Sequence, residues 1–258
     1  MRLYVVDSFT DTPFRGNPAA VVLLDEPADE TWMQSVAAEM KHAETAFVVT
    51  TREPKPLRWF TPTTEVPLCG HATLATAHVL GGEQTFTTAS GSLQCTPSEG
   101  GIDMRLPVDP PTQVVDPGDV DISTALPALP VAELRRSGGG FLLVVTDDPA
   151  TVRTCEPNLD ALAALPDDSV IVTAAGEAGG AVDFVSRMFA PAIGIPEDPV
   201  TGAAHCVLAP YWSERLGRGD LTGYQASARG GTVRTRLDGE HVVLTGTAVT
   251  VVEGELRA

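Results

Sequence analysis

Arg58-Trp59-Phe60-Thr61-Pro62-Thr63-Thr64-Glu65-Val66-Pro67-Leu68-Cys69-Gly70-His71-Ala72-Thr73-Leu74-Ala75-Thr76-Ala77-His78-Val79-Leu80 reads as a short strand, a Pro-punctuated loop and a helical run of small and apolar residues that stops at Gly81-Gly82. A helix that starts beside Cys69 and His71 presents free backbone N–H groups next to reactive side chains, which suits it to hold an anion. A degenerate copy lies further on. Arg58-Trp59-Phe60-Thr61-Pro62 and Arg187-Met188-Phe189-Ala190-Pro191 share R-x-F-x-P, and Gly70, twelve residues after Arg58, corresponds to Gly202, fifteen after Arg187. Gly70-His71-Ala72 then pairs with Gly202-Ala203-Ala204, and Ser90-Gly91-Ser92-Leu93 loosely with Gly230-Gly231-Thr232-Val233. One short pattern recurs easily by chance, but here strand, loop, Gly and helix return in the same order. The predicted architecture is two similar domains whose helix N-termini face one cleft and clamp a small acid from two sides.

Working outward, residues 2–9 and 19–24 read as strands around a Gly16-Asn17-Pro18 turn, and Trp32, Val36, Ala37 and Met40 mark a helix over 31–40. A strand follows with Glu44 at its mouth, where reactive groups are commonly presented. Residues 85–89, 92–96 and 102–106 are strand-like, and the Pro- and Asp-rich stretch from 107 to 119 reads as an interdomain connector. In the second half, strands are predicted over 141–146, 169–173, 183–189, 231–237 and 241–252, with helices over 158–165 and 203–216. Many short strands with few helices indicate an α+β class, since a doubly wound sheet would alternate regularly. The predicted domains are residues 1–112, completed by the strand at 248–258, and residues 118–247.

At 258 residues with 43% apolar content, the chain is long enough for one large or two small cores, and no apolar run approaches the length of a membrane span. The N-terminus reads as the first strand of a cytoplasmic protein, because Asp7 and Asp11 interrupt any signal-like core. A net charge of -17, with 17 basic residues spread thinly, argues against nucleic acid and anionic membrane as partners. It does not prevent a helix end from binding a small carboxylate. Cys69, Cys95, Cys155 and Cys206 form no C-x-x-C pair and read as reduced thiols. The five histidines show no metal-ligand spacing, so neither metal nor cofactor is expected.

The residues left to carry chemistry are Glu44, His71 and Asp198 around the two helix starts at Gly70 and Gly202. Asp198, just before the second helix, is either a cap for its N–H groups or a proton carrier or orienting group working with Glu44. Glu197 reads as solvated, His42 and His78 as structural or surface groups, and His205 as a weak candidate. Cys69 raises a two-thiol racemase as a rival, but its repeat partner is Thr201, whose hydroxyl cannot replace a second thiol. Cys69 therefore reads as a small buried residue. Burial would raise a Glu pKa toward working pH and let Glu44 take and return a proton.

Val6-Asp7-Ser8-Phe9-Thr10, Gly16-Asn17-Pro18-Ala19-Ala20-Val21, Glu44-Thr45-Ala46-Phe47-Val48, Glu65-Val66-Pro67-Leu68-Cys69-Gly70-His71-Ala72-Thr73, Gly194-Ile195-Pro196-Glu197-Asp198-Pro199-Val200-Thr201-Gly202 and Arg229-Gly230-Gly231 occur in this order, and together they resemble the PhzF-like family of phenazine-biosynthesis proteins along essentially the whole chain. The resemblance implies a diaminopimelate epimerase-like fold of two pseudo-symmetric domains, each wrapping strands around a central helix. It also implies a homodimer and a C-terminal strand that returns to the first domain. The family's best-understood activity is the cofactor-independent isomerisation of trans-2,3-dihydro-3-hydroxyanthranilate. Carried over residue by residue, this makes Glu44 the proton shuttle, has His71 and Asp198 hold the substrate, and puts Gly70 and Gly202 at anion-binding helix starts. Ala43 and Ala203 stand where the family commonly has Ser, and Ala203 lies among the expected substrate-binding positions. Loss of two hydroxyls changes what polar groups a substrate can present there. The functions weighed are therefore a proton-shifting isomerase of a small cyclic or unsaturated carboxylic acid, an amino acid epimerase or racemase, and a catalytically silent metabolite-binding protein.

Overall fold

The computed structural model describes residues 1–258, which divide into two compact units, Met1–Leu106 with Val243–Ala258, and Pro107–Val242. In the first, β1 (Arg2–Ser8) runs antiparallel to both the C-terminal strand Ala248–Glu255 and β2 (Asn17–Leu24). The helix α1 (Glu30–Met40) carries the chain over to β3 (Glu44–Val49), parallel to β2, and β4 (Lys55–Phe60) follows antiparallel to β3. The short β5 (Glu65–Val66) pairs antiparallel with β4. After α2 (Gly70–Leu80), β6 (Gln84–Thr88) returns parallel to β4 and leads into antiparallel β7 (Gly91–Ser98) and β8 (Gly101–Pro107).

The composition of α2 explains its place. A helix that is apolar or small on every side has no face to give to water, and His71 through Ala77 are all buried. Its threonines are compatible with burial because Thr73 Oγ1 donates to the Cys69 carbonyl at 2.6 Å and Thr76 Oγ1 to that of Ala72 at 2.7 Å. The strands beside it, β2 and β3, are buried on both faces, which is what near-continuous Ala, Val, Leu and Phe runs in parallel pairing require. On the other side of the first sheet, α1 is capped by Asp29, which accepts from the Thr31 and Trp32 N–H groups, and it packs Met33, Val36 and Ala37 with Phe47 and Phe60.

The second unit repeats this order. Antiparallel β9 (Gln113–Val114), β10 (Glu133–Arg136) and β11 (Phe141–Val145) are followed by β12 (Ser169–Ala175), parallel to β11, and β13 (Phe184–Ala190), antiparallel to β12. The chain between β9 and β12 also forms three short helices, α3 (Ile122–Ala125), α4 (Pro149–Thr154) and α5 (Leu159–Ala163). Then β14 (Ile195–Asp198) pairs antiparallel with β13, and α6 (Gly202–Leu216) leads to β15 (Asp220–Gln225), parallel to β13 and antiparallel to β16 (Gly231–Asp238). Strand for strand, β1 to β7 correspond to β10 to β16, and the register agrees: Phe47 faces Arg58 as Val172 faces Arg187.

The α+β class follows from these elements. Seven of them, β5, β9, α3, β10, α4, β14 and β15, were not anticipated, and the single strand predicted over 241–252 is two, β17 (His241–Gly246) and β18 (Ala248–Glu255). The Pro- and Asp-rich residues 107–119 are folded into the second unit, where they contribute β9 and a 3-10 turn, Pro117–Asp119. Pro210 lies inside α6, where it costs the helix its hydrogen bond to the carbonyl four residues back. That carbonyl belongs to Cys206, and it accepts instead from the Asp109 N–H at 3.0 Å. Gly223 on β15 is a packing glycine: a Cβ there would lie 2.4 Å from the Phe184 ring.

Candidate active site

In the first unit, the start of β3 and the start of α2 bring Glu44, Cys69 and His71 together, all three buried. His71 Nδ1 lies 3.5 Å from Cys69 Sγ, and Nε2 lies 3.3 Å from Glu44 Oε2. The second approach is poorly aligned for a hydrogen bond, a common state of catalytic pairs that tighten only as the reaction proceeds. Burial, assisted by the nearby His42, pushes His71 down to about 3, so around neutral pH the ring is a neutral imidazole and the contact with Glu44 is not an ion pair. Ser8 Oγ donates to the His71 carbonyl at 2.8 Å and ties this turn of the helix to β1.

In the second unit, Asp198 ends β14 and Thr201 precedes α6. Thr201 Oγ1 donates to Asp198 Oδ2 at 2.5 Å, and a residue that sequence reasoning missed, Gln225 at the end of β15, locks both in place. Its Oε1 accepts from the Thr201 N–H at 2.9 Å, while its Nε2 donates to the Asp198 carbonyl at 2.7 Å and to Thr201 Oγ1 at 3.1 Å. Gln225 is fully buried, so every polar atom of its amide is committed to this loop. The only signal in the sequence was a polar residue closing the alternating stretch Leu221-Thr222-Gly223-Tyr224-Gln225.

The helix-capping residue of α6 is Thr201, and that of α2 is Cys69. Neither side chain caps its helix, which leaves the first-turn N–H groups at Gly70 and Gly202 unsatisfied by the capping side chains. Ala203 is half-buried one residue into α6, and Ala43 is half-buried before Glu44. His205, one turn further along α6, turns into the core instead. Its Nδ1 lies 2.8 Å from the Thr201 carbonyl, its ring packs by Phe184, and burial pushes it down to about 4.

The repeated R-x-F motif has a structural meaning. Residues two apart on a strand share a face, so Arg58 lies over the Phe60 ring at 5.1 Å and Arg187 over Phe189 at 4.9 Å. Each guanidinium also grips a carboxylate with two nitrogens: Arg58 holds Glu65 at 2.6 and 2.6 Å, and Arg187 holds Glu197 at 2.7 and 3.0 Å. Glu197 is therefore not solvated, as the sequence suggested, but clasped. The clasps pin β5 and β14, the strands just before the two helix starts. They also reveal a longer shared motif, E-x-P-x-x-G, in Glu65-Val66-Pro67-Leu68-Cys69-Gly70 and Glu197-Asp198-Pro199-Val200-Thr201-Gly202. The three extra residues of the second copy fall at the 3-10 turn Pro191–Ile193.

Glu44, Cys69 and His71 each offer a donor atom of the metal-binding type, all within 4.8 Å of one another. The thiol and the carboxylate lie against different nitrogens of the ring, whose lone pairs diverge, so one ion would have to turn the imidazole to engage all three. The arrangement is better suited to passing or orienting a proton than to chelation. In the rest of the chain, no helix is long and apolar enough to cross a membrane.

The family model described as phenazine biosynthesis-like protein matches residues 6–254. An uncharacterized isomerase of Pseudomonas aeruginosa is 44% identical over 264 residues, covering 100% of this chain and 98% of that protein. A human phenazine biosynthesis-like domain-containing protein is 40% identical over 289 residues and covers 99% of both. Among solved structures, a PhzF family protein of Enterococcus faecalis aligns with a TM-score of 0.90 at 39% identity, over 100% of this chain and 99% of the other. A probable proline racemase from Agrobacterium radiobacter, at 12% identity and a TM-score of 0.60, covers 99% of this chain and 92% of its own and shares the fold.

Proposed function

From the premise that this chain belongs to the PhzF-like, phenazine biosynthesis-like family, whose relatives include proteins named isomerases, we propose that it is a cofactor-independent isomerase that shifts a proton within a small cyclic or unsaturated carboxylic acid. Glu44 is the general acid/base, His71 and Asp198 hold the substrate, and the N–H groups at Gly70 and Gly202 receive its carboxylate. The observation that carries this reading is a buried carboxylate placed at a strand mouth beside a neutral imidazole and an uncapped helix start. Such a carboxylate, correctly placed, contributes roughly 10²–10⁴-fold by general acid–base catalysis. Asp198, held by Thr201 and Gln225, is suited to accept a hydrogen bond from an amino or hydroxyl group of the substrate. Ala43 and Ala203 present methyl groups, which favours a substrate with fewer polar substituents than dihydro-hydroxyanthranilate.

The test is incubation with trans-2,3-dihydro-3-hydroxyanthranilate and a panel of related cyclic acids in D2O, followed by proton NMR. Deuterium is expected at the carbon that receives the proton, and Glu44→Gln is expected to abolish its incorporation. Exchange that survives in Glu44→Gln rejects the role of Glu44. Tight binding of an acid with no exchange across the panel rejects the isomerase in favour of a binding protein.

A further inference from the structure

The imidazole of His71 is held between two groups, and the donors and acceptors around it can be assigned. A neutral imidazole carries one proton, on Nδ1 or on Nε2. Cys69 Sγ is 3.5 Å from Nδ1, and Glu44 Oε2 is 3.3 Å from Nε2. If the proton were on Nδ1, the lone pair of Nε2 would face an ionised carboxylate oxygen, two acceptors in contact in a buried site. If it is on Nε2, a donor lies on the side of the carboxylate, 3.3 Å away though not aligned as a hydrogen bond, and Nδ1 becomes an acceptor for the thiol S–H. Only the second arrangement sets a donor against an acceptor on both sides of the ring when Glu44 is ionised.

We propose that Cys69 is a positioning residue: its S–H donates to Nδ1 of His71 and thereby commits the imidazole to carry its proton on Nε2, on the side of the Glu44 carboxylate. The thiol is well placed for this role because it caps nothing. Cys69 precedes α2 without a side-chain bond to the helix N–H groups, although Ser, Thr, Asp and Asn are the residue types that usually cap there. It is not a proton carrier in this scheme, and no bond to sulfur forms or breaks. Ala72 and Thr73, buried in the following turn, and the Ser8 bond to the His71 carbonyl fix the backbone from which the ring projects. An N–H donor beside Glu44 favours its ionised form, so once Glu44 has taken the substrate proton the committed Nε2–H favours returning it.

The structural half of this inference concerns the resting protein, whereas its kinetic consequence rests on the proposed role of Glu44. The experiment separates the two. Nitrogen-15 NMR of the histidine-labelled full chain at pH 7.5 is expected to show His71 as the Nε2–H tautomer in the wild type. In Cys69→Ala it is expected to show a mixture of both tautomers, with the other histidines unmoved. If the isomerase reading holds, Cys69→Ala also lowers kcat about five- to tenfold with KM little changed, the effect of losing one orienting hydrogen bond. A wild-type His71 with its proton on Nδ1, or a Cys69→Ala spectrum identical to wild type, overturns the inference whatever the enzyme's substrate. A tautomer that shifts as expected, in a protein that turns over no acid, leaves the positioning role standing and rejects the isomerase.

Discussion

Replacing His205 with Leu isolates one buried titration and should flatten the acid side of the stability curve. His205 is fully buried on α6; its Nδ1 pairs with the Thr201 carbonyl at 2.8 Å, while Nε2 faces Phe184 and Gly223 with no hydrogen-bond partner. Burial pushes its pKa from 6.5 down to about 4, against the smaller upward pull of the Thr201 carbonyl. The folded state therefore refuses a proton that the unfolded chain accepts. Stability from this group is fully present above pH 6.5 and is lost progressively as pH falls from 6.5 toward 4. With 1.36 kcal/mol per pH unit, His205 removes about 2 kcal/mol between pH 7 and pH 5. His71, pushed down to about 3, falls in the same direction over this window and removes a similar amount. Urea unfolding at pH 5, 6 and 7 should therefore show wild type losing about 4 kcal/mol and His205→Leu about 2 kcal/mol, after allowance for the carboxylates common to both. Loss of the Thr201 bond lowers the variant's stability equally at every pH and does not enter the slope. Identical slopes for the two proteins would refute the buried, neutral state of His205.

Two further outcomes concern the second unit and the clasps. Gln225→Ala removes the bonds to the buried Thr201 N–H and the Asp198 carbonyl and should cost about 3 kcal/mol in urea unfolding, with weaker binding of a carboxylic acid by calorimetry; a loss below about 1 kcal/mol would show the lock to be dispensable. Glu197→Gln should destabilise more than Glu65→Gln, because the Arg187 side chain is 12% exposed against 36% for Arg58, and Arg58 keeps Glu30 as a second partner. Equal thermal shifts would contradict that ordering.

How much of this was legible can be traced residue by residue. The R-x-F-x-P repeat was readable because its spacing is set by strand geometry: the cation and the ring that it covers must lie two residues apart. The helices at Gly70 and Gly202 were readable because a run of small residues ending in Gly admits few alternatives. The E-x-P-x-x-G half of the same repeat was hidden by three residues inserted at Pro191–Ile193, which put the copies out of step. Glu197 was misjudged for that reason, since the partner that buries its charge is ten residues away in the chain. Gln225 was invisible because its work depends on where β15 lies beside β13, a tertiary fact that one polar residue in a short strand does not announce. His71 and Glu44, singled out in the sequence, lie 3.3 Å apart, but the contact of the Cys69 thiol with the ring depends on the side-chain geometry at the helix start and could not be read from the chain.

The two units duplicate the frame and not the chemistry. The clasped Arg and Glu, the wrapped helix and the strand register recur, yet the polar groups singled out around the two helix starts differ. By the register of Phe47 with Arg58 and Val172 with Arg187, Glu44 at the head of β3 corresponds to Ser169 at the head of β12. The shared E-x-P-x-x-G motif aligns Val66 with Asp198 and Cys69 with Thr201, and one residue beyond it His71 aligns with Ala203. A racemase that removes a proton from one face and delivers another to the opposite face needs a proton-carrying group in each copy. Here the first copy supplies a carboxylate with an imidazole, and the second an aspartate already engaged by a threonine hydroxyl and fixed by a buried amide. That difference supports the proposed isomerase over a racemase with one proton carrier in each copy. Under that proposal Gln225 secures a fixed acceptor in the second copy, while the carboxylate of the first is the group that changes its protonation state.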